Sequence, residues 1–94
     1  MLTKIATKII KEQEAIIGPL AWIEAGKVKG LKVLDSNNAI LTFEDGFDQK
    51  EVINQLVAKY ERLFGKTSIE ACRESVANML AELVPADIPS SLVA

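Results

Sequence analysis

Glu44, Asp45, Asp48 and Glu51 place four carboxylates within eight residues, the densest acidic cluster in the chain. Hard divalent cations are held by converging oxygens of this kind. The spacing meets no calcium-loop pattern, however. Asp48 and Glu51 also stand three apart, the arrangement of an acidic capping box. The cluster therefore reads as turn and helix-cap chemistry, and no metal ligand is assigned.

The segment GKVKGLK combines Gly26 and Gly30 with Lys27, Lys29 and Lys32. A phosphate cradle needs glycines whose backbone N–H groups face the anion and lead into a helix N-terminus. Here the glycines lead toward a strand with neither standard spacing, and the lysines read as a solvated edge that discourages unwanted pairing. Cys72 is the single cysteine. A thiolate nucleophile needs a cationic or histidine neighbour and some exposure, whereas Cys72 lies on an apolar stripe between Ile69 and Val76. Arg73 points about 100° around the helix from it. The chain has no histidine, which removes the usual general base at neutral pH and the commonest zinc ligand. No catalytic residue or cofactor is assigned, and the expectation is a protein that is not an enzyme.

A helix pair around Gly65 invites a helix-turn-helix comparison. That motif wants a small residue four before the turn glycine and an apolar one just after it, and Glu61 and Lys66 occupy those places. Glu70 and Glu74 on the second helix would repel phosphates.

Behind these residues stands a chain of 94 residues, 49% hydrophobic and 26% charged, with net charge −2. That balance is globular and carries no basic excess of the nucleic-acid-binding kind. One cysteine excludes an internal disulfide and fits a reducing compartment. Lys4, Lys8 and Lys11 interrupt the N-terminal apolar run, so it is not a signal peptide, and no stretch is long enough to span a bilayer. A cytoplasmic protein is the default expectation.

The apolar residues Leu2, Ile5, Ala6, Ile9, Ile10, Ile16 and Ile17 fall at helical spacing in two adjoining rows, predicting a helix with a wide apolar stripe. Gly18-Pro19 stops or kinks it. Pro19 to Ala25 predicts a short second helix opened by the proline and capped by Gly26. Asp48 opens a helix from about Gln49 to Phe64, with Phe47 and Val52 as a hydrophobic staple. Gly65 closes that helix, and Thr67 with Glu70 forms a second capping box for a helix to about Val84. The short connection makes these two an antiparallel pair. Residues 1–84 form one compact domain, and 85–94, with two prolines and little periodicity, form an extended or loose tail.

Between the two helical halves, Val28 to Glu44 predicts a strand, a turn and a strand. Paired residues share a face, so apolar positions should meet. A three-residue loop, Ser36 to Asn38, sets Leu31 against Phe43 and Val33 against Leu41 on one face. It sets Lys32 against Thr42 and Leu34 against Ile40 on the other, with Asn38 left-handed at the loop's end.

The expected fold is α+β and mainly helical, in the order α-α-β-β-α-α. Two strands alone do not make a stable sheet, and the wide helical stripes leave apolar surface in surplus. A small interaction or regulatory module acting as a homodimer follows as the first expectation. Leu34 and Ile40 on the hairpin, Ile10 and Ile17 on the first helix, and Trp22 just past the kink are its candidate interface residues. Two alternatives are a small-ligand sensor with a pocket near Trp22 and the Gly18-Pro19 kink, and a weak nucleic-acid binder using Lys4, Lys8, Lys11 and the hairpin lysines.

Overall fold

The structure is a computed structural model that describes residues 2–93. Its elements run α1 (Leu2–Ile17), α2 (Leu20–Ala25), β1 (Leu31–Asp35), β2 (Ile40–Phe43), α3 (Gln49–Phe64) and α4 (Lys66–Leu80), followed by 3-10 turns at Pro85–Asp87 and Ser90–Leu92. The chain is thus mainly helical with one antiparallel hairpin, in the expected order.

Each helix boundary has a local cause. Gly18 takes φ +75, a conformation that L side chains rarely adopt, and its N–H bonds the Glu14 carbonyl at 2.8 Å. Pro19 cannot donate to a continuing helix, so α1 ends and α2 restarts immediately after it. At α3, Asp48 sits in extended backbone and its carboxylate accepts the Lys50 N–H at 3.0 Å, the expected N-cap. Glu51 does not close the reciprocal half of the box; its carboxylate accepts from Gln55 at 3.1 Å instead.

The expected second capping box at Thr67 is not formed. Gly65, at φ 90, reverses the chain in one residue, so α4 already begins at Lys66 and Thr67 lies inside its first turn. The helix also ends at Leu80, short of Val84, and loosens through an i−3 bond from the Leu83 N–H to the Leu80 carbonyl at 3.0 Å.

In the hairpin, Leu31 pairs with Phe43, Lys32 with Thr42 and Val33 with Leu41. The fourth expected pair fails. Ile40 opposes Asp35, a bulge intervenes between Val33 and Asp35, and Leu34 has no opposite residue. Ala39, at φ 56, takes the left-handed position expected of Asn38.

One core gathers Ile5, Ile9 and Ile10 of α1, Trp22 of α2, Leu31 and Leu41 of the hairpin, Leu56 and Tyr60 of α3, and Ile69 and Val76 of α4. Each fully buried aliphatic side chain among them contributes roughly 1.5–3 kcal/mol relative to exposure. Two buried polar ties fix how the helices sit. The Tyr60 hydroxyl donates to the Ala21 carbonyl at 2.7 Å, joining α3 to α2. Gln13 Nε2 donates to the Ser68 carbonyl at 3.0 Å and to Cys72 Sγ at 3.1 Å, joining α1 to α4.

The segment 85–94, expected to be extended or loose, is docked over its described part. Leu92 is buried in the core. Asn54 Oδ1 accepts from the Ser91 N–H at 3.0 Å and the Ser91 hydroxyl at 2.6 Å, and Arg73 Nε donates to the Ser91 carbonyl at 3.0 Å. Two anchoring side chains on different helices and one apolar plug suffice where periodicity gives no sign of order.

At the base of the hairpin, Gly30 takes φ +88, and a Cβ there would lie 2.7 Å from Phe47 Cγ and 2.8 Å from Val52 Cγ2. The backbone and the packing both require glycine. Gly30→Ala should cost about 2–4 kcal/mol, combining strain with overpacking, as a lowered urea midpoint at unchanged slope.

Tyr60→Phe should cost about 1–2 kcal/mol by leaving the Ala21 carbonyl one partner short. It should also alter alkaline unfolding. Burial, then the negative charges of Cys72 and Glu24, push the Tyr60 pKa above its ordinary 10.0. Burial likewise pushes the Cys72 thiol above 9.0, partly offset by the Gln13 hydrogen bond. Both groups keep their protons in the folded chain at a pH where the unfolded chain releases them. Stability is therefore fully present below about pH 9 and falls as pH rises beyond it. Denaturation curves collected from pH 7 to 11 should show this fall, and Tyr60→Phe should flatten the part above pH 10.

Candidate functional site

The hairpin's far end is built by Asp35. Its Oδ1 accepts the N–H groups of Asn37 at 3.0 Å and Asn38 at 3.3 Å, while Oδ2 accepts the Asn38 side-chain amide at 2.6 Å. The Asn38 bonds hold the Asp35 carboxyl below the usual carboxylate range. This Asx arrangement draws residues 36–39 into the turn and forces the bulge at Leu34. Leu34 is left 55% exposed and Ile40 47% exposed. The sheet has two strands, so each presents an outer edge with no strand beside it among the described residues.

The remaining candidate interface residues have other positions. Ile10 is fully buried, covered within the chain by the elements that pack on α1, and is not an interface residue in this fold. Trp22 is 5% exposed and belongs to the core. Ile17 is half-buried and packs against the same core. The α1 stripe is wide because α2, α3, α4 and β2 all pack on this helix, so its width records several neighbours inside one chain.

Beside the Gly18-Pro19 kink lies an open groove of about 610 Å³, between the C-terminal half of α1, α2 and the hairpin turn. Pro19, Trp22, Ile23 and Val33 supply apolar lining, the turn adds Ser36, Asn37 and Asn38, and α1 adds Lys11 and Glu14. The Trp22 indole Nε1 is shielded from solvent and has no hydrogen-bond partner. A buried donor left unmatched costs free energy, and native structures contain few. Lys11 and Glu14, three apart on one helix, form no ion pair among the described residues, whereas Lys8 and Glu12 pair at 3.3 Å on the neighbouring face. Sequence reasoning pointed to Trp22 and the kink but missed Lys11, Glu14 and the turn. The available sign was that residues 11 and 14 flank the buried stripe of α1 on its exposed side.

A second groove, of about 500 Å³, runs between residues 27–29 and α3. Val28, Phe47 and Val52 line it, with Lys27, Lys29, Lys59 and Arg62 around them. Glu24 takes up part of this charge, lying 3.4 Å from Lys27 and 3.9 Å from Lys59. Asp48 and Glu51 also line it, so the cationic field is largely compensated. Lys4, Lys8 and Lys11 line a third, shallower groove with Met79. The N-terminal lysines and Lys29 thus face different grooves.

Cys72 is fully buried with the Gln13 amide on its sulfur, and burial raises its pKa, which leaves it a packing residue. Among the described residues, no three His, Cys, Asp or Glu side chains are grouped as a metal ion requires. No helix among them is long and apolar enough to cross a membrane. Comparison with protein-family models, with curated proteins and with solved structures finds no match to this chain.

Proposed function

We propose that this chain is a small non-enzymatic interaction module that works as a homodimer, docking through the outer face and free edges of its hairpin. The observation that carries this reading is the exposure of Leu34 and Ile40, at 55% and 47%, on a sheet of two strands. Such a sheet gains stability from whatever covers its second face or extends its edge. A copy of the same chain presents the same patch, and a twofold contact is self-complementary by construction. Lys32 and Thr42 lie on that face beside the apolar pair. They would form a polar rim around it, as interfaces between separately folded chains have.

A second reading, a small-ligand sensor, is favoured by a different observation: the open groove of about 610 Å³ at the kink, with Pro19, Trp22, Ile23 and Val33 as its apolar lining. Nucleic-acid binding has less support, because Lys4, Lys8 and Lys11 do not share a groove with Lys29.

Light scattering behind size exclusion tests the homodimer. The expected mass at micromolar concentration is twice that of the chain, and a clean monomer would overturn the proposal. Leu34→Lys with Ile40→Lys should weaken self-association about a hundredfold, the scale of several partly buried aliphatic side chains withdrawn from one dimer interface. Both residues are exposed, so the helical circular dichroism should be unchanged.

A further inference from the structure

We propose that residues 85–93 are an exchangeable strap: a segment seated in a peptide-recognition site between α3 and α4, which the same segment of a second copy can fill in its place. The seat is built by α3 and α4 and uses no hairpin residue, so this contact goes beyond the hairpin docking proposed above and does not depend on it.

The seat holds the strap as a binding protein holds an extended peptide, through its main chain with pockets for alternate side chains. Asn54 Oδ1 on α3 accepts the Ser91 N–H at 3.0 Å, and Arg73 Nε on α4 donates to the Ser91 carbonyl at 3.0 Å. Both backbone groups of one residue are thus taken by side chains from two helices. Lys50 Nζ donates to the Ala86 carbonyl at 2.8 Å further along. Asn54 also bonds both serine hydroxyls, accepting from Ser91 at 2.6 Å and donating to Ser90 at 3.2 Å. Pro89 and Leu92, on either side of a short 3-10 turn, are the buried side chains of the strap. The pattern recognised is a proline, a hydroxyl residue two places on, and a leucine beside it.

The connection to the strap permits a crossing. α4 ends at Leu80, all of residues 81–87 except Leu83 are exposed, and Val84 is extended at φ −70 and ψ 149. Drawn out, that connection reaches roughly 23–25 Å, against molecular extents of 32 × 31 × 22 Å, far enough to carry the strap onto an adjoining molecule. A second copy has the same strap and the same seat, so exchange in both directions closes a twofold pair with these contacts retained. Within one chain the tether holds the strap at an effective concentration on the order of millimolar, so the closed monomer predominates in dilute solution and exchange gains as concentration rises.

Two full-length variants test the exchange, both carrying Leu34→Lys and Ile40→Lys so that hairpin docking makes no contribution. The donor, with Asn54→Ala and Arg73→Gln, keeps its strap and loses its seat. The acceptor, with Leu92→Ser, keeps its seat and loses its plug. Each alone should have monomer mass by light scattering, and an equimolar mixture at about 1 mM, the scale of a short tether's effective concentration, should be mainly dimer. Adding Asn54→Ala and Arg73→Gln to the acceptor should abolish that dimer. A mixture that stays monomeric, or a dimer that survives the loss of both seats, would overturn the exchange, and neither result bears on docking by the unsubstituted hairpin. The unsubstituted chain supplies a second measurement if Leu92→Ser fails to fold. The strap opens with the helices intact, so the Ser91 amide should exchange with solvent about tenfold or more faster than amides in the middle of α3 and α4. Equal protection would show that the strap does not separate from the helices, and the proposal would fail.

Discussion

The absence of a side chain at residue 30 is the constraint on which the hairpin's placement depends. Gly30 is buried beneath Phe47 and Val52, and its carbonyl accepts the Glu44 N–H at 2.8 Å. One residue therefore closes the base of the hairpin and lets the first turn of α3 approach it directly. A two-stranded sheet has too little surface to hold itself together. This one is anchored below by α3 and packed along α1 and α2, while its far end projects with Leu34 and Ile40 exposed. A rigid base beneath an uncovered tip is what leaves the hairpin a surface to offer.

The polar ties in the interior refine this frame. Apolar packing alone tolerates sliding of one helix along another, because neighbouring aliphatic side chains are similar in size and chemistry. The Tyr60 hydroxyl and the Gln13 amide make slippage costly, since a shift would strand a buried donor. Tyr60 holds α2 at its angle from the kink, and that angle shapes the groove beside Trp22. Gln13 Oε1 is itself buried without a partner, so the α1–α4 seam carries a residual cost alongside the specificity that Nε2 supplies.

Where side-chain chemistry is decided locally, the sequence was legible. The alternation of Leu31, Val33, Leu41 and Phe43 sets three of the hairpin's pairs correctly, and Asp48 caps α3 as its spacing implies. The errors arise where two local preferences compete. Asp35 and Asn38 are both turn formers; the Asp35 carboxylate captures the amides, a bulge appears at Leu34 where a regular pair was expected, and Ala39 adopts the positive φ. Thr67 had the right partner for a capping box, but Gly65 started the helix earlier. Other features depend on tertiary placement and leave no periodic trace. The docking of Leu92 depends on Asn54 and Arg73, which lie on different helices. The burial of Ile10 depends on how many elements wrap α1. A wide stripe reads identically whether its cover comes from the same chain or from another, which is why Ile10 and Trp22 looked like interface residues.

The packing of α1 against α4 has a consequence for the newly made chain. Of the four α-helices, α1 leaves the ribosome before the others, and its partner across the Gln13 seam is the last of them to emerge. Until residues 66–80 are available, the isoleucine stripe lacks part of its cover, and nascent chains with exposed apolar helices are the kind that aggregate or engage chaperones. The single-residue link at Gly65 shortens that interval. Once α3 has formed, α4 needs almost no loop to close against it and arrives already positioned to receive α1. Synthesis therefore proceeds from α1 to the helix that covers it, with the single-residue connection at Gly65 placed just before that step.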